Sequence, residues 1–135
     1  MKCLKLEIRS QRNNIKEVES MMAKANKEFG LDDDEYGRMM IAVTELVMNA
    51  IVHGNKEDET KSVLICIEMN ESEMKIVITD EGSGFLISEI PNPTEIENLL
   101  FAHGRGVYIA KALVDKLEYK HNDRGTEFTL MIKKK

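Results

Sequence analysis

Apolar and polar positions alternate along residues 3–9, with Leu4, Leu6 and Ile8 on one side and Lys5, Glu7 and Arg9 on the other. A period of two predicts a half-buried strand. From residue 12 to 29 the period lengthens, placing Ile15, Val18, Met22, Ala25 and Phe29 on one helical stripe with Gly30 as its C-terminal stop. Asp32, Asp33 and Asp34 supply an N-cap and dipole-matched charge for a second helix. Its apolar face is Met39, Met40, Val43, Leu46, Val47, Ala50 and Ile51, and Gly54 ends it. The polar stretch 53–61 reads as a loop, followed by strands over 62–69 and 74–80 that join through a polar turn at 70–73. Residues 81–103 hold Gly82, Gly84 and both prolines and read as irregular, with a brief helix capped by Thr94 and Glu97. A helix over 105–115 buries Ile109, Ala110, Leu113 and Val114, and the chain ends in a hairpin of strands 116–121 and 126–133 turning at 122–125.

The order β-α-α-β-β-α-β-β predicts a single domain over residues 1–135. Its expected fold class is α/β (α+β): a two-layer sandwich in which a mixed, mostly antiparallel sheet is covered on one face by helices. A chain of 135 residues is long enough to build its own core. A net charge of -5, from 24 acidic and 19 basic residues, argues against a dedicated nucleic-acid binder. Such binders draw most of their affinity from neutralising phosphates. Cys3 and Cys66 lie far apart and form no metal-spaced pair, so the chain reads as cytoplasmic with two small buried thiols. No apolar run approaches the ~20 residues that span a bilayer, and Lys5, Glu7 and Arg9 interrupt any N-terminal signal pattern.

Four segments carry candidate chemistry. Glu45 and Asn49 stand four residues apart, one above the other on the polar side of the second helix, and His53 continues their line by another turn. By itself such a line also suits a solvated helix face. The run Asp80-Glu81-Gly82-Ser83-Gly84-Phe85 follows directly on an apolar strand. It sets a carboxylate at the strand tip and lets backbone approach a ligand, although a plain turn has the same composition. Gly104-Arg105-Gly106 opens a helix, where free N–H groups and a guanidinium suit an anion, or where a loop merely ends. Gly125-Thr126 opens the last strand and alone is no more than a hairpin turn. Neither a P-loop nor a strand–GxGxxG–helix unit is present.

In order and spacing the four segments resemble one family. Glu45-Leu-Val-Met-Asn49-Ala50-Ile-Val-His53-Gly54 resembles the N box of the ATPases related to gyrase, histidine kinases and mismatch-repair proteins. Asp80 to Phe85 resembles their first glycine box, Gly104-Arg105-Gly106-Val107 the second, and Gly125-Thr126 the threonine-bearing strand start. Only one helix precedes the N-box helix, so the chain looks like the short, free-standing members: the anti-sigma factor serine/threonine kinases of bacteria.

The resemblance implies ATP and Mg²⁺ as cofactors. Asn49 would be the Mg²⁺ ligand and Glu45 the general base, while Asp80 would accept from the adenine amine and Gly82 and Gly84 would let the base lie against backbone. Gly104, Arg105 and Gly106 would hold the phosphates beneath a lid at 85–103, Thr126 would reach the adenine, and His53, Phe85 and Val107 would complete the nucleotide site. The chemistry agrees with these roles. An amide carbonyl is a hard neutral ligand suited to Mg²⁺, a carboxylate only accepts and so favours adenine N6 over guanine O6, and phosphoryl transfer asks mainly for positioning. The implied substrate is a serine on an anti-sigma factor antagonist, a STAS-type protein, and the second partner is a sigma factor. Arg12 is a candidate contact on the first helix. A homodimer is the usual assembly of such proteins, and neither membrane nor nucleic acid is an expected partner. The alternative is a nucleotide-gated protein-binding module of the same fold without phosphotransfer, which intact Glu45 argues against.

Overall fold

Alternation sets the sheet. In β2 (Ser62–Met69) and β3 (Glu73–Asp80) every second side chain is buried, so Val63, Ile65 and Ile67 share a face with Met74, Ile76 and Ile78. With β1 (Lys2–Arg9), β4 (Lys116–Asn122) and β5 (Gly125–Lys133) they form one sheet in the order β1-β2-β3-β5-β4. The register places Ile65 opposite Ile78, and Ile78 opposite Phe128, giving a continuous apolar row across the strands. The computed structural model describes residues 2–82, 105–122 and 124–134. The brief helix and the lid expected within 85–103 lie outside them.

All four strand pairings are antiparallel, so the parallel component of the expected mixed sheet does not occur among the described residues. The reason is the last hairpin. The chain crosses from β3 to β4 and then folds back, inserting β5 between them and opposing it to both.

Among the described residues, three helices cover the apolar face. A 3-10 turn at Arg12–Asn14 leads into α1 (Ile15–Phe29), which buries Val18, Met22, Ala25 and Phe29. Gly30 ends it in a left-handed conformation at φ 85°. Asp32 then caps α2 (Asp33–Asn49): its carboxylate accepts from the Glu35 N–H at 2.7 Å, while the Glu35 carboxylate accepts from the Asp32 N–H at 3.0 Å. The third helix, α3 (Arg105–Leu113), packs chiefly on α2 and seats Val107 and Ala110 in the core.

The other face of the sheet carries Lys5, Glu7 and Leu64 in the open. Cys3 and Cys66 belong to this outward set, so Cys3 is exposed and Cys66 half-buried, which corrects the expectation of two buried thiols. Their places follow from the pleat, since Leu4 and Ile65 take the inward positions beside them. No helix among the described residues is long and apolar enough to cross a membrane.

Candidate functional site

The C-terminal end of α2 meets the N-terminus of α3. Asn49 is 6% exposed and Glu45, one turn earlier, is half-buried. Gly106 lies against both, so close that a Cβ on it would come within 3.0 Å of Asn49 Nδ2 and 3.1 Å of Glu45 Oε2. Asn49 Nδ2 is buried with no hydrogen-bond partner among the described residues. An orphaned buried amide costs stability and calls for an explanation. Because the oxygen and nitrogen of an amide exchange places by a half-turn of its plane, the same position also presents a carbonyl. An uncommitted amide at a glycine-opened helix N-terminus therefore fits a group that ligates a hard cation held on phosphates. No three His, Cys, Asp or Glu side chains cluster around a metal position among the described residues.

A second cluster surrounds Asp80, 3% exposed at the tip of β3. Its Oδ1 accepts from the Gly82 N–H at 3.0 Å and the Thr126 N–H at 3.2 Å. Burial pushes the carboxyl pKa up, and these two N–H groups and the charges of His121 and Lys61 oppose that rise. Glycines make the carboxylate's surroundings possible. A Cβ on Gly54 would lie 2.2 Å from Asp80 Oδ2, and one on Gly82 would lie 1.7 Å from the Gly54 carbonyl oxygen. Gly125, at φ 152°, brings its Cα so near the Asp80 carbonyl that a Cβ would stand 1.8 Å from it. Thr126 is buried beside it, with Oγ1 3.5 Å from His121 Nδ1. Asp80, Gly125 and Thr126, with Thr79, Lys120, Arg124 and Glu127, line a cleft of about 330 Å³.

The structure thus gathers Glu45, Asn49 and Gly106 into one group and Asp80, Gly82 and Thr126 into another. The link between them is the stretch Ala50–Gly54, which winds as a π turn rather than as more α-helix. His53, within this turn, is exposed where Asn49 is buried. Val107 is fully buried in the hydrophobic core, where it seats α3. Gly84, Phe85 and Gly104 lie outside the described residues, and Arg105 is described as the first residue of α3. Sequence reasoning gave no site role to Gly54, read as a helix stop and the end of the N-box run, or to Asn55, read as loop. The available signal was the H-G-N run itself, a glycine and a short amide directly behind a polar helix face.

Over residues 8–132 the chain matches the histidine kinase-like ATPase domain. It is 34% identical over 110 residues to the anti-sigma F factor of Clostridium perfringens, covering 76% of this chain and 74% of that protein. It is 33% identical over 113 residues to the serine-protein kinase RsbW of Staphylococcus aureus, covering 78% and 71%. The RsbW of Bacillus subtilis is 27% identical over 99 residues, which span 69% of this chain and 62% of that one. Among solved structures, the RsbU and RsbW domains of a Mycobacterium tuberculosis protein superpose with a TM-score of 0.72 at 19% identity. That match takes in 98% of this chain and 32% of the other. The mycobacterial sensor histidine kinase MprB superposes with a TM-score of 0.60 at 15% identity over 96% of this chain and 97% of the other. Both structural likenesses concern the fold alone. The sequence match begins in β1, ends in β5 and takes in both clusters, and by it the chain belongs to the histidine kinase-like ATPase domain family.

Proposed function

We propose that this chain is an ATP-dependent protein serine kinase that acts as an anti-sigma factor, phosphorylating a serine on an anti-sigma factor antagonist of the STAS type and sequestering a sigma factor. The relatives named anti-sigma F factor and serine-protein kinase RsbW support this reading. The observation that carries it is the buried Asn49 Nδ2, without a hydrogen-bond partner among the described residues, with the Glu45 carboxylate one turn away and both against Gly106.

In this reading Asp80 accepts from the adenine amine, and Thr126 stands beside it. The N–H groups at the start of α3 and Arg105 hold the phosphates. Asn49 would hold Mg²⁺, whose charge would offset the negative charge that develops on the phosphates during transfer. Glu45 takes the proton of the serine hydroxyl as its oxygen forms a bond to the γ-phosphorus and the bond to ADP breaks.

The test is incubation of the protein with γ-labelled ATP, Mg²⁺ and a candidate antagonist, followed by acid. A phosphoserine ester survives acid and a phosphohistidine does not. Acid-stable label on the antagonist is the expected result. Acid-labile label on this chain would overturn the serine-kinase reading. Binding of both Mg·ATP and antagonist without transfer would replace it with nucleotide-gated binding.

A further inference from the structure

Asn55 directly follows the π turn and is 1% exposed. Its amide is fully engaged. Nδ2 donates to Ser10 Oγ at 2.8 Å and to the Ser62 carbonyl at 2.9 Å, and Oδ1 accepts from the Glu81 backbone N–H at 2.8 Å. Ser10, wholly buried, donates onward to the Lys61 carbonyl at 2.7 Å. The backbone of Asn55 is held as well, its N–H donating to the Ala50 carbonyl at 2.8 Å. One side chain therefore ties the end of β1, the start of β2 and the residue after β3 to the end of the π turn.

The position of that tie matters. Glu81 sits between Asp80 and Gly82, and Asn55 is next to Gly54. The Asn55–Glu81 bond thus sets the spacing between the Gly54 backbone and the Asp80 carboxylate, where a single Cβ would leave only 2.2 Å. It also sets the reach of the Gly82 N–H to Asp80 Oδ1. The Glu81 carboxylate in turn accepts from the Ser62 N–H, closing the same loop from the other side.

We propose that Asn55 is a positioning residue for recognition of the nucleotide base: through Glu81 it holds the Asp80 carboxylate where the adenine amine is read. This rests on the adenine-reading role given to Asp80 above. A residue that merely bolts the fold together would lower stability and leave base preference alone.

The experiment measures ATP and GTP affinity by calorimetry, with thermal melting, for the unaltered chain, Asn55→Ala and Ser10→Ala. Ser10→Ala removes a hydroxyl from the same network and spares the Asn55–Glu81 bond, so it is expected to melt lower with its preference for ATP intact. Asn55→Ala is expected to lose about tenfold or more of the ATP-over-GTP preference, mainly through weaker ATP binding. A folded Asn55→Ala variant with the full preference overturns the proposal. If Asn55→Ala does not fold, hydrogen exchange on the unaltered, nucleotide-free chain decides: a protected Glu81 amide supports the proposal and a freely exchanging one overturns it. An unaltered chain with no preference for ATP would overturn the role of Asp80 and this proposal together, and the variants are not needed to see it.

Discussion

Asp80 keeps a carboxylate out of water, and burial raises its pKa against the pull of two backbone N–H groups. The folded chain therefore holds this proton more tightly than the unfolded chain does. The stability Asp80 contributes is fully present below its ordinary value of 3.8 and is lost as pH rises through the raised one. At neutral pH the charge is a burden on the empty fold, as expected of a group retained for a ligand. Asp80→Asn should thus melt at the same or a higher temperature than the unaltered chain at pH 7, the gap closing toward pH 4, while its preference for ATP disappears. Melting curves across that range, with calorimetry on both nucleotides, check each part. Asn49→Ala removes the orphaned amide, so its fold is expected to survive intact while Mg·ATP affinity falls about tenfold or more. Glu45→Gln keeps shape and polarity but takes no proton. It should bind Mg·ATP normally and transfer phosphate about 10²–10⁴-fold more slowly, as single-turnover rates would show.

At the scale of elements, α2 has two ends with separate jobs. Its start is fastened by the reciprocal bonds of Asp32 and Glu35. Asp32→Ala is expected to cost about 0.5–2 kcal/mol and to leave ATP affinity unchanged. Its far end passes through the π turn to Gly54, whose missing Cβ makes room for the Asp80 carboxylate. Gly54→Ala must displace that carboxylate, so ATP should no longer raise the melting temperature of the variant; retention of the full shift would show that the carboxylate has moved without consequence. The N-cap among Asp32, Asp33 and Asp34 and the stop at Gly30 were legible because caps are local chemistry; the reciprocal bond from Glu35 was not read. The π turn was not, because five residues from Ala50 to Gly54 are too few for a change in helical period to show.

For the whole molecule, the π turn brings the Asn49 and Asp80 clusters to one end of α2, so a nucleotide that spans them joins α2, α3, β3 and β5. ATP with Mg²⁺ at a hundred times its dissociation constant is expected to stabilise the fold by about 2.7 kcal/mol, a shift of several degrees at this chain length. GTP should give much less. Equal shifts for the two would detach the Asp80 cluster from base recognition.

The period of two in β2 and β3, the stripe of Val18, Met22, Ala25 and Phe29, and the turn residues between them determined the elements and the layer they bury. All of these are local, because a strand or helix shows its buried face in its own spacing. The polar line of Glu45 and Asn49 and the Asp80 to Gly84 run were equally visible, and their order along the chain pointed to one family. What only the tertiary structure decided was contact between segments distant in sequence. No local pattern states that β5 inserts between β3 and β4, that Gly106 closes on Asn49, or that Gly54, Gly82 and Gly125 converge on Asp80. Asn55 is the clearest case. In the sequence it is one polar residue in a polar loop, and its meaning comes from Ser10 and Glu81, which lie 45 and 26 residues away and meet it only in the fold.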